Sequence, residues 1–145
     1  MVEIPYGLAQ FSSDGGAISL QITREVVNHG EVSQFELLVS VETEFVSGSG
    51  RCYIDHADLI DLATFITALD SGKSANWREG RKGFGLSGVV VSGQALDYSY
   101  EEIRVKVIDD DTGVAVSVTA YREDAWIAEA KKSLNSVRRM IGSGI

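Results

Sequence analysis

Cys52 stands four residues before His56, and a thiol beside an imidazole is the first pairing in the chain with the makings of a nucleophile and its base. Such a pair also needs a third group to orient the imidazole, and the spacing supplies none. Cys52 falls in an apparent strand and His56 beside a helix start, so a buried thiol and a first-turn surface histidine account for both. Gly83-Phe84-Gly85-Leu86-Ser87-Gly88 reproduces the glycine spacing of a dinucleotide fingerprint. That chemistry requires a strand before the glycines and, after them, a helix whose N-terminus meets the pyrophosphate. Here a basic loop precedes and Val89-Val90-Val91 follows, which also rules out a nucleophile elbow. Asp109-Asp110-Asp111 has carboxylates enough for calcium but lacks the alternating ligands, central glycine and final glutamate of an EF-hand loop. Asp and Thr before Gly113 are what a hairpin turn selects. Trp77, among Lys73, Arg78, Arg81 and Lys82, could stack on a base, but in an otherwise acidic chain the reading is that it closes the edge of a core. One cysteine and two histidines complete neither an internal disulfide nor a four-ligand Cys/His zinc set. The expectation is therefore no catalytic set, no cofactor and no metal: not an enzyme.

The elements that would carry these residues show two periods. Ile18, Leu20 and Ile22 alternate with Ser19, Gln21 and Thr23, and after a break at Asn28-His29-Gly30 the residues Phe35, Leu37, Val39, Val41 and Phe45 alternate with Glu36, Ser40, Glu42 and Glu44. These are half-buried strands, paired as a hairpin through a loop of several residues. Ser47-Gly48-Ser49-Gly50 reads as a flexible turn and Arg51 to Ile54 as a short third strand. Leu59, Leu62, Ala63, Ile66 and Leu69 then recur at helical spacing, with Asp55 as N-cap, Asp58 and Asp61 favoured by the dipole, and Gly72 as the stop. Residues 73 to 88 read as a loop before a strand at Val89-Val90-Val91. Ile103, Val105 and Val107 pair with Val114, Val116 and Val118 across a turn at Asp109 to Gly113. Trp126, Ile127, Ala130, Leu134, Val137 and Ile141 form a second helical stripe. The order strand, strand, strand, helix, strand, strand, strand, helix predicts an α+β two-layer sandwich, βββαβββα, with a mainly antiparallel sheet and both helices on its apolar face.

The 145 residues suit a single domain over 1–145, and 44% apolar with 23% charged residues is ordinary globular composition. Thirteen Lys and Arg against twenty-one Asp and Glu leave a net charge of −8. Non-specific attraction to nucleic acid or to an anionic membrane is not expected, and neither is expected as a partner. The N-terminus has no basic and apolar leader, no apolar run approaches the roughly 20 residues that span a bilayer, and a lone cysteine fits a reducing compartment; the protein is expected to be cytoplasmic. Residues 1 to 72 hold two basic side chains against eleven acids, a balance of −9, so the acidity lies in the first half. Glu36, Glu42 and Glu44 share a strand face. Such a face either discourages edge aggregation or presents carboxylates to a cationic partner such as the substrate groove of a nuclease.

Residues 34 to 77 run through an acidic strand, a Gly/Ser turn, a short strand, then Asp58-Leu59-Ile60-Asp61-Leu62 opening a helix that ends in Leu69-Asp70-Ser71-Gly72, with Trp77 just beyond. This layout resembles the WapI-type bacterial immunity proteins of polymorphic toxin systems. The resemblance implies a non-catalytic inhibitor that binds and blocks a cognate toxin domain, with no catalytic residues to carry over. The expectation is a small acidic intracellular immunity protein, monomer or homodimer, whose protein partner is a basic toxin domain. Glu36, Glu42, Glu44, Asp109, Asp110 and Asp111 are its candidate partner-binding residues. The alternative is a non-enzymatic ligand-binding module or a homodimeric structural module.

Overall fold

The computed structural model describes residues 4–13, 15–121 and 124–143. Among these, each half of the chain runs through four strands and then a helix. The first half comprises β1 (Tyr6–Ser13), β2 (Gly16–Asn28), β3 (Glu31–Thr43), β4 (Ser47–Ile54) and α1 (His56–Asp70). The second comprises β5 (Ala75–Trp77), β6 (Phe84–Gln94), β7 (Ser99–Asp109), β8 (Ala115–Tyr121) and α2 (Trp126–Ser143). The strands form two antiparallel sheets, β1-β2-β3-β4 and β5-β6-β7-β8.

Local chemistry sets the turns. Between β2 and β3, His29 (φ 54°) and Gly30 (φ 80°) both take positive φ, as a two-residue type I′ hairpin turn demands, so the expected longer loop is absent. Helix α1 opens on a capping box: Asp58 N–H donates to Asp55 Oδ1 at 2.9 Å, and Asp55 N–H donates to Asp58 Oδ2 at 3.1 Å. It closes on a Schellman motif, with Gly72 (φ 78°) donating to the Leu69 carbonyl at 3.0 Å and Lys73 to that of Ala68 at 2.9 Å.

Alternation decides which side chains are buried. Ile18, Leu20, Ile22, Phe35, Leu37 and Val39 of the first sheet share one apolar cluster with Leu86, Ile103, Val105, Val107, Val118 and Ala120 of the second. Each helix packs on the other half's sheet: α2 lies against β1, while α1 lies against β5 and β6 and touches α2. Strand β1 also adjoins β8. Helix α2 buries Trp126, Ile127, Ala130, Leu134 and Val137; the side chain of Ile141, expected in the same stripe, lies outside the described residues. No helix among the described residues is long and apolar enough to cross a membrane.

The α+β class and the antiparallel pairing are present, but one sheet with the order βββαβββα is corrected to two sheets with the order ββββαββββα. Glycine is the physical reason for much of the difference. Ser47-Gly48-Ser49-Gly50 is half of β4, and of the fingerprint glycines Gly85 and Gly88 lie in β6 while Gly83 precedes it. A Cβ on Gly88 would lie 2.6 Å from Leu69 Cδ2, and one on Gly85 would lie 2.9 Å from the Trp77 and Arg78 carbonyl oxygens. These positions are strand brought against neighbours too closely for a side chain, so they carry no loop signal and no phosphate-binding turn.

The two halves are joined by a buried charge. Asp58 is 3% exposed; its carboxylate accepts from Arg78 Nη1 at 2.7 Å and from Arg81 Nη1 at 2.8 Å. The Arg78 guanidinium also donates to the carbonyls of Phe84 (3.0 Å), Lys82 (2.6 Å) and Tyr53 (3.4 Å). Trp77 Nε1 donates to the Asp58 carbonyl at 2.8 Å. Removing one partner of such a pair leaves an uncompensated buried charge. Asp58→Ala is therefore expected to lower the unfolding free energy by about 3–5 kcal/mol. Arg81→Ala, at a side chain 56% exposed, is expected to lower it by about 1 kcal/mol or less. Urea unfolding followed by tryptophan fluorescence compares the two.

Candidate functional site

Period-two register places Val39 and Val41 of β3 opposite Gly50 and Gly48 of β4, all on the inner face of the first sheet. The second sheet faces them with Phe84, Val107 and Val116, where Val107 pairs with both Leu86 and Val116. Between these surfaces lies a cleft of about 320 Å³. Two features keep it open. A Cβ on Gly48 would meet nothing within 4 Å, while at Gly50 the missing side chain is replaced by the Phe84 ring, which a Cβ there would overlap. Val46, Val114, Asp109 and Thr112 complete the lining, with Val46 and Val114 exposed, and Phe45 at the β3–β4 tip is 95% exposed.

Of the six acidic candidates Asp109 lines this opening, and four more lie on the two hairpins that border it. Glu42 and Glu44 are exposed on the β3–β4 hairpin, and Asp109, Asp110 and Asp111 form the β7–β8 turn. Both hairpins line the one cleft. Asp109 builds its turn: Oδ1 accepts from Asp111 N–H at 3.1 Å and Oδ2 from the Thr112 hydroxyl at 2.8 Å. Asp110 N–H donates to the Gly83 carbonyl at 3.0 Å, which ties the turn to the start of β6. The Asp110 and Asp111 side chains remain exposed. Glu36 lies six residues back along β3, on the same outer face of the first sheet as Glu42. There it meets Arg24 at 3.4 Å and Arg51 at 3.5 Å and accepts from the Thr23 hydroxyl at 3.0 Å, so its charge is balanced internally.

The other chemistry-bearing residues are held in structural roles. Cys52 is 8% exposed; burial pushes its thiol pKa up, offset in part by a hydrogen bond with the Phe84 backbone and by the Arg78 charge. The thiol thus stays protonated. His56 opens α1 with its ring 5.6 Å from that of Phe35, and its Nε2 is buried without a partner among the described residues. Trp77 is 2% exposed, and Arg78 and Arg81 turn to Asp58, so this basic segment forms no stacking platform. Asp55 caps α1 as expected, and Asp58, expected as a dipole residue, completes the capping box. Among the described residues, no three of His, Cys, Asp and Glu gather where they could hold a metal ion.

A family of unknown function, DUF5959, matches residues 7–142. The chain belongs to the DUF5959 family. No curated protein matches it in sequence. Among solved structures it is similar to WHY1 from Arabidopsis thaliana, with 14% identity over 99% of this chain and 95% of that one and a TM-score of 0.45. It is also similar to the plant transcriptional regulator PBF-2, with 11% identity over 100% and 90% and a TM-score of 0.42. WHY3 from Arabidopsis thaliana shows 14% identity over 94% and 88%, again with a TM-score of 0.42. The expectation of no nucleic acid partner is corrected at this point. A net charge of −8 argues only against non-specific attraction to the whole molecule and does not exclude such a partner. Neither DUF5959 nor these structures links the chain to WapI-type immunity proteins.

Sequence reasoning missed Phe84, Gly48, Val46 and Val114. The available signal was the period of Ser47-Gly48-Ser49-Gly50, where every second position lacks a side chain opposite Val39 and Val41. The geometry predicts opposite responses at the two glycines. Gly50→Ala collides with Phe84 and is expected to destabilise by about 1–3 kcal/mol. Gly48→Ala enters open space and is expected to be neutral or to stabilise by about 0.5–1 kcal/mol. Paired urea melts test this, and equal losses at both positions would mean the cleft is closed at Gly48.

Proposed function

We propose that the chain is a non-catalytic binding protein that holds a basic, apolar-anchored segment of a protein partner in the cleft between its sheets. The observation that carries this reading is the combination of an apolar cleft of about 320 Å³ with exposed carboxylates on both hairpins that flank it. An apolar anchor leaves water in the cleft, and cations beside it meet Glu42, Glu44, Asp110 and Asp111 at the rim. Charge of this kind sets association rate and partner choice more than raw affinity. A stable interface takes about 800 Å² from each partner, more than the cleft offers, so exposed Phe45 and Val114 belong to the same surface.

Selection of a displayed random peptide library on the immobilised protein tests the reading. Peptides rich in Lys and Arg around one aliphatic or aromatic residue are expected, and they should lose at least about tenfold in affinity on Gly48→Trp, which fills the cleft. A peptide pool that binds the wild type and Gly48→Trp equally would place recognition elsewhere.

The narrower form of the proposal is a bacterial immunity protein that blocks a cognate toxin domain. Calorimetric titration against the purified, inactivated toxin domain encoded upstream of it is expected to show one-to-one nanomolar binding that weakens with Glu42→Lys and Asp111→Lys. Absence of binding between two folded proteins removes that form.

A further inference from the structure

The β3–β4 hairpin closes with Thr43 N–H donating to the Val46 carbonyl at 2.8 Å, which makes Thr43 and Val46 a hydrogen-bonded pair. Such pairs recur at every second position of an antiparallel ladder. With the register unbroken from Glu42↔Ser47 to Phe35↔Ile54, Gly48, Gly50 and Cys52 direct their backbone groups at β3. Ser47, Ser49, Arg51 and Tyr53 therefore direct theirs the other way, off the sheet. The Tyr53 carbonyl confirms the phase, because Arg78 Nη1 reaches it from that side at 3.4 Å. From Ser47 to Arg51, nothing among the described residues pairs with the outward N–H and C=O groups.

Exposed strand edges are normally blunted by lysine, proline, a bulge or brevity. The edge of β1 is covered by α2 and β8, and β5 has three residues. Strand β4 has eight residues, no bulge, no lysine and no proline, and its one charged side chain, Arg51, lies on the outer face against Glu36. The open part of this edge is also one wall of the apolar cleft, which Ser47, Gly48, Ser49 and Gly50 line.

We infer that the partner segment binds as an added β-strand on the free edge of β4, with alternate apolar side chains entering the cleft and the intervening cationic ones on the outer face beside Glu42. This rests on the cleft reading and specifies its mode: main-chain pairing gives affinity and the alternating pockets give specificity. The occupant is an extended segment alternating apolar and basic residues. A second copy of β4 does not fit, because its inner-facing residues Gly48 and Gly50 would leave the cleft unfilled.

The probe is an alternating lysine–valine octapeptide, acetylated and amidated, titrated calorimetrically at low ionic strength into the full chain and into Gly48→Trp. A second peptide of the same sequence is N-methylated on alternate residues, in both phases. The unmethylated peptide is expected to bind the wild type and to slow hydrogen exchange at Ser49 and Arg51. One methylated phase should bind at least about tenfold more weakly, as loss of one or two net hydrogen bonds implies, and Gly48→Trp should weaken binding comparably. Equal affinity of all three peptides, with Gly48→Trp still disruptive, overturns strand addition and leaves the cleft reading standing. Binding that ignores Gly48→Trp, or no binding of any peptide, overturns the inference, and the library selection then decides the cleft reading separately. Protection of Ser49 that rises with protein concentration without peptide, together with a dimer by sedimentation, assigns the edge to a second copy and also overturns it.

Discussion

Arg78 directs its guanidinium at four oxygens from three parts of the chain: the Asp58 carboxylate at the head of α1, the Tyr53 carbonyl at the end of β4, and the Lys82 and Phe84 carbonyls that lead into β6. With its side chain 6% exposed, the charge has little water to fall back on. Desolvation of both ions is offset only because every facing group is an acceptor. The geometry requires Arg78 at φ 56°, a conformation a side chain of this size rarely adopts. The contact holds a strained residue in place because the surrounding acceptors over-determine it. From that anchor follows the position of Phe84, and from Phe84 the position of its ring over Gly50. The floor of the cleft is thus fixed by an ion pair that is itself not part of it.

How far the sequence disclosed this depends on whether the signal was local. The N-cap and the stop of α1 were legible because Asp55 and Gly72 bracket one apolar stripe. So was the alternation of β2, β3 and β7, whose apolar faces are uninterrupted. The burial of Asp58 was not, since it reads as a dipole residue until Arg78 folds onto it from twenty positions away. Strands β4 and β6 were obscured because glycine, a breaker by propensity, here records the close approach of Phe84, Leu69 and the Trp77–Arg78 backbone. The acidic candidates were visible in the charge pattern, but which of them share a site depended on two hairpins from different halves meeting across the core.

The distribution of compensated and exposed charge sharpens the functional reading. Glu36 sits between Arg24 and Arg51, with Tyr53 beside it, and contributes little net field. Glu42, Glu44, Asp110 and Asp111 are exposed on the two hairpins that line the cleft. An overall charge of −8 is therefore a poor description of the surface: charge is balanced around Glu36 and unbalanced on the two hairpins beside the apolar cleft. Local potential of that kind selects for a cation at a defined place rather than for basic character in general.

The walls of that cleft are also rigid for a binding surface. One is regular strand, and the other is a turn whose Asp109 carboxylate is held by two internal hydrogen bonds and whose Asp110 amide is tied to Gly83. A site ordered before its partner arrives loses less conformational entropy on association, which raises affinity without further contacts. Rigidity has a second effect here. Because Gly48 and Gly50 supply no side chains to rearrange, the cleft cannot adapt its depth to a larger anchor, and size selection falls on Val39, Val41 and Phe84. The same glycines that hid the strand from sequence reasoning are what give the cleft its volume and its fixed shape.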